Sequence, residues 1–240
     1  RPFDNMEVGP GSPQDDEVPL VKLTRHAEYH KYSFPRHYRF WLDTYIFNFS
    51  SASPQYAQWK KVYLGTLKKA AVLMGKNRSL LKSPATMANL NVVLELFPNA
   101  KFIHIKRNPY KVLPSQINLH QTMVSKYALE SVDDAQIQEF ALYQYEGYMQ
   151  GYLNHKHLIP QDNLIEIRYE DFVQDRLLWL NRIYEQLKLG DVEIVRPAVE
   201  THLSSVKNYA AHDFSIDPAL KRQIETRLAF AFSALGYAQA

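Results

Sequence analysis

The strongest constraint on the fold lies in residues 79–115, SLLKSPATMANLNVVLELFPNAKFIHIKRNPYKVLPS. The apolar run Ser79–Leu81 ends in Lys82-Ser83-Pro84. Met87–Phe97 follows, with Leu90, Val93, Leu94 and Phe97 at helical spacing, and a second apolar run, Phe102–Lys106, leads into Arg107-Asn108-Pro109. These periods predict strand, helix, strand, helix. A crossover of this kind is right-handed and returns the second strand parallel to the first. Ligands of open parallel sheets bind beyond the carboxyl ends of the strands, where helix N-termini present free N–H groups. Lys82 and Arg107 are therefore predicted at one sheet edge, in an arrangement suited to a polyanion.

The segment after Arg107 strengthens this reading. Pro109 suits the first turn of a helix, whose N-terminus attracts anions. Ser115 falls about two turns in, next to Pro114, whose missing N–H predicts a kink. Arginine fits the task because its planar fork donates two hydrogen bonds to one phosphate. The site must be local, since the net charge is only +3. That balance indicates no bulk attraction to nucleic acid or to membranes. The absence of cysteine removes disulfides, zinc–thiolate sites and cysteine nucleophiles, and the histidine spacing matches no metal site. No apolar run reaches the roughly 18 residues of a transmembrane helix. No signal peptide is visible, so a cytoplasmic location is expected, although the chain starts at Arg1 without an initiator methionine.

The remaining chain frames this unit. Residues 1–11 read as an extended loop, and Ser12-Pro13 as the start of a short helix to about Leu23. Asp15, Asp16 and Glu17 then fall in its first turn, where acids complement the helix dipole; the sharper alternative makes Glu17 or Asp16 a general base. Residues 25–49 are dense in aromatics and hold His26, His30 and His37. They form either core packing or an acceptor pocket lined by Tyr29, Tyr32, Phe34, Tyr38 and Trp41, with a histidine as alternative base. A helix is predicted over 54–74, with Trp59, Val62, Tyr63, Leu67, Ala70 and Met74 inward and its lysines solvated. A long tyrosine-bearing helix spans 134–157 and a strand spans 163–169. Helices follow over 177–187 and 196–205, then a loop over 206–212. A last helix runs from Asp217-Pro218 to Gly236, with Ile224, Leu228, Phe232 and Leu235 inward.

K-S-P after one strand, then F-P-N-A-K-F-I-x-I-x-R-N-P with a serine eight residues beyond the arginine, resembles the nucleotide-binding core of the sulfotransferases that use 3′-phosphoadenosine 5′-phosphosulfate (PAPS). The likeness is nearest to the bacterial and protein-tyrosine subgroup and extends less closely over 163–236 and 1–53. It implies an α/β fold: a parallel sheet flanked by helices, with a P-loop nucleotide-kinase-like, helix-rich core. It also implies one domain over 1–240, with acceptor-side loops and short helices over 1–53 and the nucleotide-binding core and C-terminal helices over 54–240. By resemblance, Lys82 lies by the sulfate and bridging oxygen, Arg107 and Ser115 hold the 3′-phosphate, and Ser83 is a further cofactor-binding candidate. Tyr169-Glu170-Asp171-Phe172 matches the family's Y-E-D-F turn. Lys207 and Tyr209 match in part a K-N-x-Y loop that closes over the nucleotide.

PAPS is thereby implied as co-substrate, without a metal. The acceptor is a hydroxyl or amine on a small molecule, lipid or glycan. Two departures stand against the pattern. No R-S-G-T-T-like phosphosulfate turn occurs in these 240 residues, so an N-terminally truncated copy, a fragment or a degenerate relative is expected. Thr86 and Asn89 also stand where many relatives have histidine and arginine. The alternative from another class is a non-catalytic 3′-phosphoadenosine-binding domain. A nucleotide kinase is disfavoured because no G-x-x-x-x-G-K-[ST] is present.

Overall fold

The structure, a computed structural model, describes residue 9, residues 15–207 and residues 214–239. Helices α1 (Leu20–Leu23), α2 (Tyr38–Leu42), α3 (Tyr56–Met74) and α4 (Leu90–Leu96) precede strand β1 (Phe102–Lys106). Helices α5 (Pro109–Tyr127) and α6 (Asp134–His155) lead to strand β2 (Leu164–Arg168), and α7 (Tyr169–Gln174), α8 (Arg176–Gln186), α9 (Arg196–Ser205), α10 (Pro218–Arg227) and α11 (Ala229–Leu235) complete the order.

β1 and β2 pair in parallel, from Phe102 opposite Leu164 to Lys106 opposite Arg168. On β2, Ile165 and Ile167 are buried against Ile183 and Leu187 of the α8 region. On β1 the alternation leaves Ile103 and Ile105 exposed, 38% and 46%, while Phe102, His104 and Lys106 are half-buried on the other face.

One strand expected from the sequence is not formed. Ser79–Leu81 has no strand assignment, and Leu80 is 90% exposed. A strand exists only where its N–H and C=O groups find a neighbouring edge, and among the described residues the sheet is the β1–β2 pair alone. The triplet therefore stays unpaired at the surface.

The core is organised around α6. Asp133 caps it through a reciprocal box with Gln136, and Phe140, Ala141, Leu142, Tyr145, Tyr148, Met149 and Tyr152 are all buried along it. A helix this apolar on several faces must be surrounded. One face meets Leu113, Ile224, Leu228, Phe232 and Leu235, which places the predicted inward residues of the C-terminal segment in the core, although that segment is two helices that break at Leu228. Another face meets Tyr32, Tyr38, Leu42, Ala85 and Ala88. Tyr32 and Tyr38 are thus core residues and not the lining of an acceptor pocket; Tyr38 stacks on Phe140 at 4.7 Å.

α3 packs Trp59 and Tyr63 inward, but Met74, predicted on the same face, is 68% exposed. Gly75 ends the helix at φ 60°, a left-handed cap that glycine adopts without penalty.

Gly151 of α6 is required by a close approach. A Cβ there would lie 2.6 Å from Ala88 Cα, a backbone atom that cannot yield as a side-chain tip can. Ala88 follows the 3-10 turn Pro84–Met87, so this contact seats the K-S-P turn on the core. Gly151→Ala is expected to destabilise the fold by about 1–3 kcal/mol through overpacking, a fall in Tm of roughly 3–10 °C for a chain of this size. Differential scanning calorimetry checks it, and an unchanged Tm would show that the turn moves freely.

Candidate active site

The carboxyl ends of the two strands build one half of the site. β1 ends at Lys106 and Arg107 follows. Asn108 then caps α5, its side-chain oxygen accepting the Tyr110 N–H at 3.0 Å, with Pro109 at the first helical position. β2 ends at Arg168, and Tyr169 opens α7. The parallel register brings these ends together, and the Arg107 guanidinium lies over the Tyr169 ring at 4.3 Å from its centroid. Stacking fixes the plane of the fork and leaves its N–H edge for hydrogen bonds. No acidic residue pairs with Arg107 among the described residues. Ser115 is half-buried in the second turn of α5.

The neighbouring cation is held differently. Arg168 lies over the Tyr237 ring at 4.5 Å, and the Tyr237 hydroxyl donates to Glu170 at 2.5 Å. Arg168 therefore braces the C-terminal segment against the strand end.

Lys82 and Ser83 form a second group, away from the position predicted for them. Because Ser79–Leu81 does not join the sheet, the sheet edge does not present Lys82. Its Nζ instead donates to Asp15 Oδ1 at 2.7 Å. Ser83 Oγ is buried with no hydrogen-bond partner among the described residues, a hydroxyl whose donor and acceptor capacity is unused.

The acidic triplet also differs from its expected setting. Residues 16–19 form turns and α1 begins only at Leu20, so Asp15, Asp16 and Glu17 do not complement a first turn. Two of them are taken up by tyrosines: Tyr29 OH donates to Asp15 Oδ2 at 2.9 Å, and Tyr63 OH to Asp16 Oδ2 at 2.6 Å.

Glu17 Oε2 is buried and has no hydrogen-bond partner among the described residues. Burial pushes its carboxyl well above the usual carboxylate range, reinforced by the charges of Glu28 and Asp16 and opposed by Lys31. Lys31 and Glu28 form a buried ion pair beside it. The accessible half of the triplet thus holds a cation, and the buried half holds a carboxyl whose proton affinity is raised.

Lys207, predicted in the nucleotide-covering loop, is exposed just beyond α9; Tyr209 lies outside the described residues. Arg107 and Ser115 share the β1–α5 junction, whereas Lys82 and Ser83 lie in the K-S-P turn, which Lys82 ties to Asp15, two residues before Glu17. No hydrogen bond or ion pair joins the two groups among the described residues. Sequence reasoning missed Asp15 as the partner of Lys82, 67 residues away, and Tyr169 as the platform beneath Arg107. The Y-E-D-F turn was a visible signal for the second; nothing local signals the first.

A family model described as the sulfotransferase family matches residues 13–193. Omega-hydroxy-beta-dihydromenaquinone-9 sulfotransferase Stf3 from Mycobacterium bovis and its counterpart from Mycobacterium tuberculosis are each 28% identical over 220 residues, covering 90% of this chain and 55% of the relative. The chain thus spans about half the length of these relatives. The crystal structure of sulfotransferase STF9 from Mycobacterium avium superposes with a TM-score of 0.63 at 18% identity, covering 95% of this chain and 57% of that one, a likeness of fold. The matched family region contains the K-S-P turn, β1, Arg107 and Ser115, and the chain belongs to the sulfotransferase family.

Proposed function

We propose that this chain carries the donor-nucleotide and acceptor-activating groups of an enzyme that transfers a sulfuryl group from PAPS to a hydroxyl of a lipid or lipid-like small molecule. The observation that supports it most is Arg107: a half-buried guanidinium at a strand end, oriented by Tyr169, beside a capped helix N-terminus and without an acidic partner among the described residues. Such a group suits a phosphate dianion. The partnerless hydroxyl of Ser83 fits the same donor. The lipid acceptor is suggested by the curated relatives, whose names specify an omega-hydroxylated menaquinone derivative.

When bound, PAPS supplies an activated sulfuryl group, whose sulfur bonds to the acceptor oxygen as its bond to the bridging phosphate oxygen breaks. The protein's work is then positioning and charge stabilisation, as in phosphoryl transfer. Arg107 and Ser115 hold the 3′-phosphate. Lys82 stabilises charge on the leaving phosphate oxygen, with Ser83 beside it. Glu17 accepts the acceptor's proton. Lys207 and Tyr209 are assigned to the segment covering the nucleotide.

Calorimetric titration with 3′-phosphoadenosine 5′-phosphate tests the donor half. Arg107→Ala, or 5′-AMP in place of the bisphosphate, is expected to weaken binding by about 10- to 100-fold, the worth of one or two charge-assisted hydrogen bonds. Equal affinity for the two nucleotides would remove the 3′-phosphate site. One competing reading is a nucleotide-binding domain without catalysis. It predicts bisphosphate binding but no transfer of labelled sulfate from PAPS to an omega-hydroxylated quinone.

A further inference from the structure

Asp15 is the least expected member of the site, and its contacts carry an inference that rests on the function proposed above. Its carboxylate is shared between two donors, Lys82 Nζ at 2.7 Å on Oδ1 and Tyr29 OH at 2.9 Å on Oδ2. Its backbone is tied as well: Asp15 C=O accepts the Val18 N–H at 3.1 Å, and two residues further on Leu20 is anchored in the core. The carboxylate is therefore fixed from two sides, and the long lysine stem adapts to it. Asp15 is 19% exposed in its side chain and Lys82 76%. A pair so open to water contributes little to stability, about 0–1 kcal/mol. Its consequence is geometric, because it ties the K-S-P turn to the segment that bears Glu17.

We propose that Asp15 is a positioning residue for Lys82: it holds the ammonium beside the acceptor-side acid while leaving that ammonium able to act on the donor. A lysine has three N–H donors. One is used by Asp15, and two remain for the sulfuryl and bridging oxygens, so the ion pair and the bound donor are compatible. Tyr29 keeps Asp15 in place during the reaction by hydrogen-bonding its second oxygen. Two residues along the same turn, Glu17 takes the proton, so a single short segment sets both the cation and the base.

Two measurements test this, one of them independent of activity. Zero-length carbodiimide coupling followed by peptide mass spectrometry is expected to join Asp15 to Lys82 in the wild-type chain and to lose that product in Asp15→Asn. No such linkage in the wild type would overturn the inference whatever the protein's activity. In sulfuryl transfer, Asp15→Asn is expected to lower kcat about tenfold while the KM for PAPS stays within about twofold, with Asp15→Glu restoring most of the loss. An unchanged kcat, or tighter donor binding in Asp15→Asn, would make Asp15 a bystander or a competitor of the donor. If the linkage forms but the wild-type chain transfers no sulfate to any acceptor while binding the bisphosphate, the enzymatic reading fails and the positioning role falls with it.

Discussion

Lys82→Ala is expected to lower turnover by roughly 10²–10³-fold while leaving affinity for the donor nucleotide nearly unchanged, the range seen when one preorganised charge-stabilising donor is removed. The asymmetry follows from where the charge develops. In the proposed function the 3′-phosphate is a full anion in the ground state and is assigned to Arg107, whereas charge accumulates on the bridging oxygen only as the bond to sulfur breaks. A lysine aimed at that oxygen stabilises the transition state more than the bound ground state. Steady-state kinetics with PAPS, alongside calorimetry with 3′-phosphoadenosine 5′-phosphate, separates the two. If Lys82→Ala lost affinity and turnover in equal measure, Lys82 would be a ground-state anchor. Folding is not expected to confuse the result, because the Lys82 side chain is 76% exposed.

The second large effect is on stability. His120 of α5 is fully buried, with its ring 4.1 Å from that of Phe140 and 5.5 Å from that of Tyr32. Neither of its nitrogens has a hydrogen-bond partner among the described residues. Burial, aided by the charge of Lys31, pushes its pKa down to about 3, against about 6.5 in an unfolded chain. Between those values the unfolded chain binds the proton that the folded chain refuses. Stability is therefore complete above pH 6.5 and is lost as the pH falls towards 3, by about 1.4 kcal/mol for each unit.

His120→Leu removes that dependence. Near pH 7.5 the variant should lie close to the wild type, since relief from an unsatisfied buried N–H offsets the lost ring contacts. At pH 4.5 it should be the more stable by about 3 kcal/mol relative to its standing at pH 7.5. Urea denaturation of both proteins at pH 7.5, 5.5 and 4.5 reads the difference, in which carboxylates common to both cancel. A wild-type-to-variant gap that stays constant with pH would mean that His120 gains a proton and a partner in the folded state.

These two residues mark what was legible. Lys82 stands out in the sequence because K-S-P follows an apolar run, and Arg107 because R-N-P follows another. His120, in the helix after Arg107, carries no local signal of its environment: its burial arises from Phe140 on α6 and Tyr32 near the N-terminus, brought together by packing. Tyr32 and Tyr38 repeat the lesson. An aromatic-rich segment reads equally as pocket or core, and only the presence of α6 beneath it makes it core.

The sequence by itself determined what depends on neighbours within a turn or two. The periodicity of Phe102–Lys106 and the proline and asparagine after it place β1 and the start of α5 where the structure has them. Gly75 and Gly236 mark helix ends because a residue without a Cβ adopts the left-handed cap without penalty. Tertiary structure alone decided whether Ser79–Leu81 became a strand, since a ladder needs a second edge that no local pattern supplies. It also decided that Lys82 meets Asp15 and that Glu17 lies buried among Glu28, Asp16 and Lys31. Charge, desolvation and hydrogen bonding act through space, and partners separated by tens of residues in the chain leave no trace in the spacing of either one.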